Sequence, residues 1–288
     1  MRKLLMALCL VSAIAAQAHG VDGTGDSVPQ PKPLRPVLSA YMAEVGSAHL
    51  ADTYLTPLRY SGMHYGLAYE RMQAMKASPE NWIMQLDVRV DVDRVLNNPT
   101  RNAVMWNANV DLRWAAVRRW QVGGGLTLGI GPGIGLRGGA LYLSRNGNNP
   151  ASAKGAVTFD ARGIASYPVT IGRLPVVFRY EVSLPVTGAF FAPDYGQLYY
   201  EIWLGERSGL CRAAWWGNYF DMDNLLTADL RLGGTTLRLG YRNHIISTKA
   251  SDIVSRRITH AFVIGIATEW LSLSPRHRQD VPIVSPLY

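Results

Sequence analysis

The stretch Trp82-Ile83-Met84-Gln85-Leu86-Asp87-Val88-Arg89-Val90-Asp91-Val92 decides the fold. Trp82, Met84, Leu86, Val88, Val90 and Val92 are apolar, while Gln85, Asp87, Arg89 and Asp91 are polar, and Asp93 extends the polar set. Successive side chains of a strand point to opposite faces, so this is a strand with one greasy and one charged face. It runs eleven residues. A tilted membrane strand needs about 9–11 residues, whereas a soluble strand usually has about five or six.

The next segment repeats the pattern. Val104, Trp106, Ala108, Val110, Leu112 and Trp114 alternate with Met105, Asn107, Asn109, Asp111 and Arg113. Leu96 to Thr100 reads as a turn, so the two strands form an antiparallel hairpin. Working outward, strands are predicted near 37–46, 61–72, 82–93, 103–115, 119–130, 136–144, 155–167, 173–186, 196–205, 210–220 and 224–233, with a last hairpin 235–248 and 256–271. Single-chain bacterial barrels have an even strand number, so one of these segments must go, and the short 136–144 piece is the one to drop. The expectation is an all-β, antiparallel up-and-down transmembrane barrel of about 12 strands. Gly233-Gly234 is a candidate two-residue hairpin turn. The run Gly129 to Gly139 is expected to form a bend, a bulge or an inward loop. It lacks the lysine–serine ending of a phosphate-binding loop.

A soluble sandwich alternates as well, so the position of the charges must discriminate. One face gathers Asp87, Arg89, Asp91, Asp93, Asp111, Arg113, Asp160, Arg162, Arg179, Glu181, Asp229, Arg231, Arg238 and Arg242. Both signs occur two residues apart on single strands, which suits a lumen whose walls neutralise each other. The opposite face has almost no charge, and Trp82, Trp106, Trp114, Trp120, Tyr180, Tyr200 and Trp270 are expected to form interfacial aromatic girdles.

The ends of the chain follow from this frame. Arg2 and Lys3, the apolar run Leu4 to Ala15 and Ala16-Gln17-Ala18 make residues 1–18 a signal peptide cut after Ala18. Residues 19–36 read as a flexible Gly/Pro-rich leader, 37–271 as the barrel, and 272–288 as a tail with three prolines that is expected to contact another envelope protein. The formal charge is +8, two units of which leave with the signal peptide. The remaining basic residues are spread along alternating strands, so nucleic acid is excluded as a partner and outer-membrane lipid is expected. Beyond the leader only Cys211 remains, so no disulfide framework is available. No apolar run there is long enough for a membrane helix.

Two motifs carry a resemblance. Asp194-Tyr195-Gly196-Gln197-Leu198-Tyr199-Tyr200-Glu201 and Ile258-Thr259-His260-Ala261-Phe262-Val263-Ile264-Gly265-Ile266 resemble an uncharacterised outer-membrane family of Bacteroidetes, domain of unknown function 3316. The resemblance implies a barrel in the outer membrane. It implies no activity, substrate or catalytic residue.

Acyl hydrolysis would need a serine, a histidine base and an orienting polar group. His244, Ser247 and Asn243 are close in sequence, but a spacing of three puts His244 and Ser247 on opposite faces of a regular strand. His260 is another candidate base, with the parity of Phe262 and Ile264. No histidine spacing suits a metal. Asp87, Asp91 and Asp93 point the same way, but Arg89 between them argues for neutralisation by protein, so no metal or cofactor is expected. The functional expectation is a narrow or gated channel or transporter for small solutes. The alternatives are a structural or partner-binding envelope barrel and, third, a lipid hydrolase.

Overall fold

The computed structural model describes residues 33–147, 149–194, 196–270 and 283–286. The signal peptide and its cut after Ala18 lie outside them, as do most of the leader and residues 272–282 of the tail.

Eleven antiparallel strands form the wall: β1 Val37–Asp52, β2 Arg59–Ala74, β3 Trp82–Asn97, β4 Val104–Gly123, β5 Leu126–Leu143, β6 Ala151–Ile171, β7 Leu174–Phe191, β8 Cys211–Ala214, β9 Tyr219–Leu232, β10 Thr235–Ala250 and β11 Ile253–Trp270. Neighbours in sequence are neighbours in space, and β1 pairs with β11 from Val37↔Trp270 to Asp52↔Ser255. That pairing closes the sheet. Closure leaves no bare edge, which is what a sheet in hydrocarbon requires.

The even-number rule is met in an unexpected way. β8 and β9 share one position beside β7. β8 pairs with Gly188–Phe191 of β7, and β9 pairs with Val176–Ser183. Between them Trp215–Asn218 turns out of the ladder, with Asn218 N–H and Tyr219 N–H both donating to the Trp215 carbonyl. The barrel therefore has ten wall positions, not twelve.

Besides the place shared by β8 and β9, two differences from the thirteen predicted segments bring the count to ten. The segments 119–130 and 136–144 are the end of β4 and one continuous β5, joined through Gly123, Gly124 and Gly125, all at positive φ. Gly129 to Gly139 is regular strand, not bend or loop. Gly129, Gly131, Gly133, Gly135 and Gly139 sit on the inner face, and Ile130, Ile134 and Leu136 on the outer face are exposed. The segment 196–205 is no strand either. Tyr199–Leu204 is a short helix, α1, ended by Gly205 at φ 116. It lies within the long connection from β7 to β9, at the end of the barrel opposite the start of β1 and the end of β11.

The alternation written in β3 and β4 is kept in space. Gln85, Arg89, Asp91, Asp93, Asn107, Asn109, Asp111 and Arg113 are buried inside, whereas Val90, Val92, Val110 and Leu112 are exposed outside. Apolar residues crowd the interior mainly at the two ends, with a smaller group, Met42, Ala68, Leu225 and Val263, between them. Leu50, Leu55, Tyr60, Val95, Met105 and Leu141 pack at the loop end. Leu38, Met72, Ile83, Ala115 and Val117 pack at the terminus end. There the described part of the tail folds back onto the barrel. Val284 N–H donates to the Leu34 carbonyl at 2.9 Å, and Arg119 Nη1 donates to the carbonyls of Ser285 and Pro286 at 3.1 and 2.9 Å.

Candidate functional site

The charged interior is the densest chemistry in the chain. It forms connected layers between the two apolar ends. Nearest the termini, Glu70 on β2 accepts from Arg179 on β7 at 2.5 Å, from Gln85 on β3 at 2.7 Å, and from Arg238 on β10. Arg238 Nε also donates to Asp229 at 2.7 Å, and Arg179 Nε lies 3.0 Å from Glu181. Arg162 bridges Asp87, at 2.8 Å, and Glu181.

In the middle, Arg89 on β3 reaches Asp111 at 3.0 Å, His244 Nδ1 at 2.6 Å and Asp223 at 3.5 Å. Arg137 meets Asp111 at 2.5 Å and Asp221 at 3.0 Å. Arg113 reaches Asp221 at 3.0 Å, and Arg242 lies 3.3 Å from Glu44 and 3.5 Å from Asp223. Toward the loops, Arg257 Nε donates to Asp93 at 2.6 Å, and its Nη2 reaches Asp91.

The glycines of β5 make room for this chemistry. A Cβ on Gly135 would stand 2.6 Å from Thr158 Oγ1 and 2.8 Å from Asp160 Oδ2. A Cβ on Gly139 would stand 2.3 Å from Asn109 Oδ1. Inner glycines on one strand thus let the side chains of β4 and β6 lean over it.

The network residues named from the sequence are brought together, with two qualifications. Asp87 is only half-buried, and Arg231, near the end of β9, is half-exposed at the terminus end. Sequence reasoning missed Glu44, Glu70, Arg137, Asp221, Asp223 and Arg257. Each sits on a strand whose alternation is broken by glycine, alanine or an apolar inner residue. Glu70 and Arg257 share inner-face parity with Met72 and Thr259, which was the available signal.

The weak catalytic candidates are divided between the two faces. His244 is buried in the lumen between Arg89, Arg137 and Asp221. Ser247 is on the outer face of β10 by parity. Asn243 and His260 do meet, outside: Asn243 Nδ2 lies 3.3 Å from His260 Nδ1, which is also 2.6 Å from the Tyr241 hydroxyl. His244 therefore does not reach Ser247.

Among the described residues, donor atoms of His64, Asp91 and Asp93 cluster within 4.8 Å of one another. The Arg257 guanidinium already supplies positive charge to both carboxylates, and His64 Nδ1 bonds Asp93 at 2.7 Å. The donor set is thereby committed to an arginine, which does not fit a metal ion as well.

Of the aromatic residues, Trp106, Trp114, Trp120, Tyr180 and Trp270 are exposed on the outer wall, and Trp82 is half-buried at the start of β3. Tyr200 is a correction: it is exposed on α1, not on a strand. Arg94 stacks over Trp106 at 5.9 Å and Arg118 over Trp120 at 5.4 Å. Trp106 and Trp120 lie near opposite ends of β4. At about 3.4 Å per residue and a tilt of about 40° they are roughly 35 Å apart along the axis. That brackets a hydrocarbon core of about 30 Å.

The loop end is tied together. The Tyr54 hydroxyl donates to the Gln197 carbonyl at 2.8 Å and accepts from Asn149 at 2.6 Å, and burial pushes its pKa up. Asp194 bonds Arg212 at 2.5 Å and the Ser251 hydroxyl, and these partners, Ser251 foremost, hold its carboxyl below the usual range. Beneath the loops a cavity of about 50 Å³ is lined by Leu141, Phe190, Tyr219, Arg137 and Arg257, room for a few waters.

Residues 3–277 match the family described as protein of unknown function (DUF3316). The chain belongs to this family. No curated protein has a matching sequence. Among solved structures, the DUF3316 chain is similar to the translocator domain of the autotransporter NalP from Neisseria meningitidis, at 12% identity and TM-score 0.40, covering 93% of this chain and 96% of that one. It is also similar to the transport unit of the autotransporter AIDA-I from Escherichia coli, at 8% identity and TM-score 0.42, covering 90% and 97%. A third is the outer membrane protease OmpT from Escherichia coli, at 6% identity and TM-score 0.41, covering 85% and 99%.

Proposed function

We propose that this DUF3316 chain is an integral outer-membrane barrel with a closed lumen, a structural or partner-binding envelope protein rather than an open pore. The proposed source is a Gram-negative, Bacteroidetes-type envelope, on the strength of the two resembling motifs, and the proposed route to it is export through the signal peptide at 1–18.

Membrane insertion is supported by the outer wall. Leu67, Ile130, Leu136, Phe159, Phe262 and Ile266 are all exposed, on four different strands, β2, β5, β6 and β11. An apolar belt of that extent has no place in water. Three of the four two-residue connections, 124–125, 172–173 and 233–234, lie at the end where β1 starts and β11 finishes, and the longest connection, 192–210, lies at the other. In outer-membrane barrels this makes the loop end extracellular.

One observation carries the closed lumen. Ion pairs link strands on opposite sides of a ring of ten: Arg179 of β7 to Glu70 of β2, and Arg89 of β3 to Asp223 of β9. Their side chains are almost entirely removed from solvent. A solute path would have to break several such pairs at once. The narrow or gated channel is the competing reading, and conductance tests it. In planar bilayers the purified protein is expected to give no steady current. A sustained, ohmic current through single wild-type barrels would overturn the closed-lumen reading.

A further inference from the structure

The loop-end rim carries basic side chains that the interior does not use. Ala51 of β1 stands in register with Arg256 of β11 on one side and with Arg59 of β2 on the other. All three follow the outward parity of their strands. Two strand spacings put the Cα atoms of the arginines about 10 Å apart. The only side chain between them in that row is a methyl group. One step nearer the membrane, His49 stands in register between Ile258 and Ser61.

These residues line one outward groove of about 510 Å³, with Val254 and Ile258 as apolar wall. Arg59, Arg256 and His49 are exposed, and none makes a side-chain hydrogen bond or ion pair among the described residues. No acidic residue lines the groove. The nearest acid on β1, Asp52, points inward and is held by Lys154 at 2.6 Å. The contrast with the interior, where Arg89, Arg113, Arg137, Arg162, Arg179 and Arg238 each meet a carboxylate, is what singles the groove out. Below it the outer wall is apolar, with Val45, Met63 and Tyr65 exposed on β1 and β2.

We infer that this groove is a lipid-phosphate clamp: Arg59 and Arg256 straddle the phosphate of an outer-leaflet lipid, His49 contacts the headgroup, and an acyl chain lies along the wall below. Guanidinium groups suit phosphate because their fork of donors matches its oxygens. The apolar wall directly beneath favours a lipid over a free ion as the source of that phosphate. The inference rests on the membrane reading above. It fails separately from it, because insertion is scored independently by protection of the barrel from protease in vesicles.

The test is native mass spectrometry of the detergent-solubilised full chain, titrated with phosphatidic acid or with phosphatidylcholine of the same acyl chains. The wild type is expected to retain phosphatidic acid preferentially. R59Q is expected to weaken retention about tenfold, as loss of one charge-assisted contact implies. R59Q/R256Q should abolish the preference, R59K/R256K should keep part of it, and R118Q, at the opposite rim, should leave it unchanged. Equal retention by wild type and R59Q/R256Q, or no preference between the two lipids, would overturn the clamp. Displacement of phosphatidic acid by millimolar inorganic phosphate would overturn the assignment to a lipid and leave a free-phosphate site.

Discussion

Glu70→Gln measures whether the lumen is dry. The substitution keeps the shape of the side chain and removes its charge. Glu70 is 1% exposed, and its carboxylate faces two arginines with no more exposure than itself. After the change Arg179 keeps Glu181 and Arg238 keeps Asp229. Neither guanidinium is fully orphaned, yet one buried negative charge shared by both is gone. Removing one partner of a buried pair costs about 3–5 kcal/mol, and the remaining partners point to the lower end, about 3 kcal/mol. In a hydrated pore the same pair would be screened, and the loss would fall to about 0–1 kcal/mol. The assay is urea unfolding of protein folded into phosphatidylcholine vesicles, read as a midpoint shift at constant slope. The double variant E70Q/R238M takes the arginine partner from Asp229 as well and should lose more stability than Glu70→Gln alone. A Glu70→Gln barrel within about 0.5 kcal/mol of wild type would refute the dry interior, and the closed-lumen reading with it.

Gly135→Leu should destabilise by about 1–3 kcal/mol in the same unfolding assay, because its side chain must displace Thr158 and Asp160; Ile134→Leu, one residue away on the outer face, should be close to neutral. Arg119→Ala should free the end of the tail, seen as faster hydrogen exchange at residues 283–286, with the barrel itself unchanged. The loop tie at Asp194 should depend on pH. Its carboxyl is held below its ordinary value of about 3.9, so the tie is complete above that value and is lost as pH falls through the lowered one. Limited proteolysis of residues 192–218 should therefore accelerate only in acid, and Asp194→Asn should make it fast at every pH.

The fold was legible where inner and outer residues differ in polarity. β3 and β4 alternate charge with hydrocarbon, and their parity could be read directly. β5 could not be read the same way, because its inner positions are mostly glycine. A Gly–Ile or Gly–Leu alternation has the right period, but glycine is also the residue of bends and bulges. The segment around Tyr199 failed for a different reason. Its aromatic residues suit a strand, yet the chain there lies in an outer loop, where no neighbouring strand competes with a turn of helix. Glu70 and Arg257 were hidden because each is a lone charge on a mixed inner face, and its partners come from strands far away in sequence.

The strand count and the filling of the lumen turn out to be one question. Parity assigns a charge to the lumen but does not say how far away the opposite wall is. That distance grows with strand number. In a barrel of twelve strands, an arginine on β3 and an aspartate across the lumen would leave space for water between them. With ten, Arg89 reaches Asp223 at 3.5 Å, and Arg113 reaches Asp221 at 3.0 Å. The same inner sequence could line a wide pore or fill a narrow one. Here the choice is made by the glycines of β5, which keep one strand where two segments were expected, by α1 in place of a strand at 196–205, and by the break at Trp215–Asn218, which lets β8 and β9 share a single place in the wall.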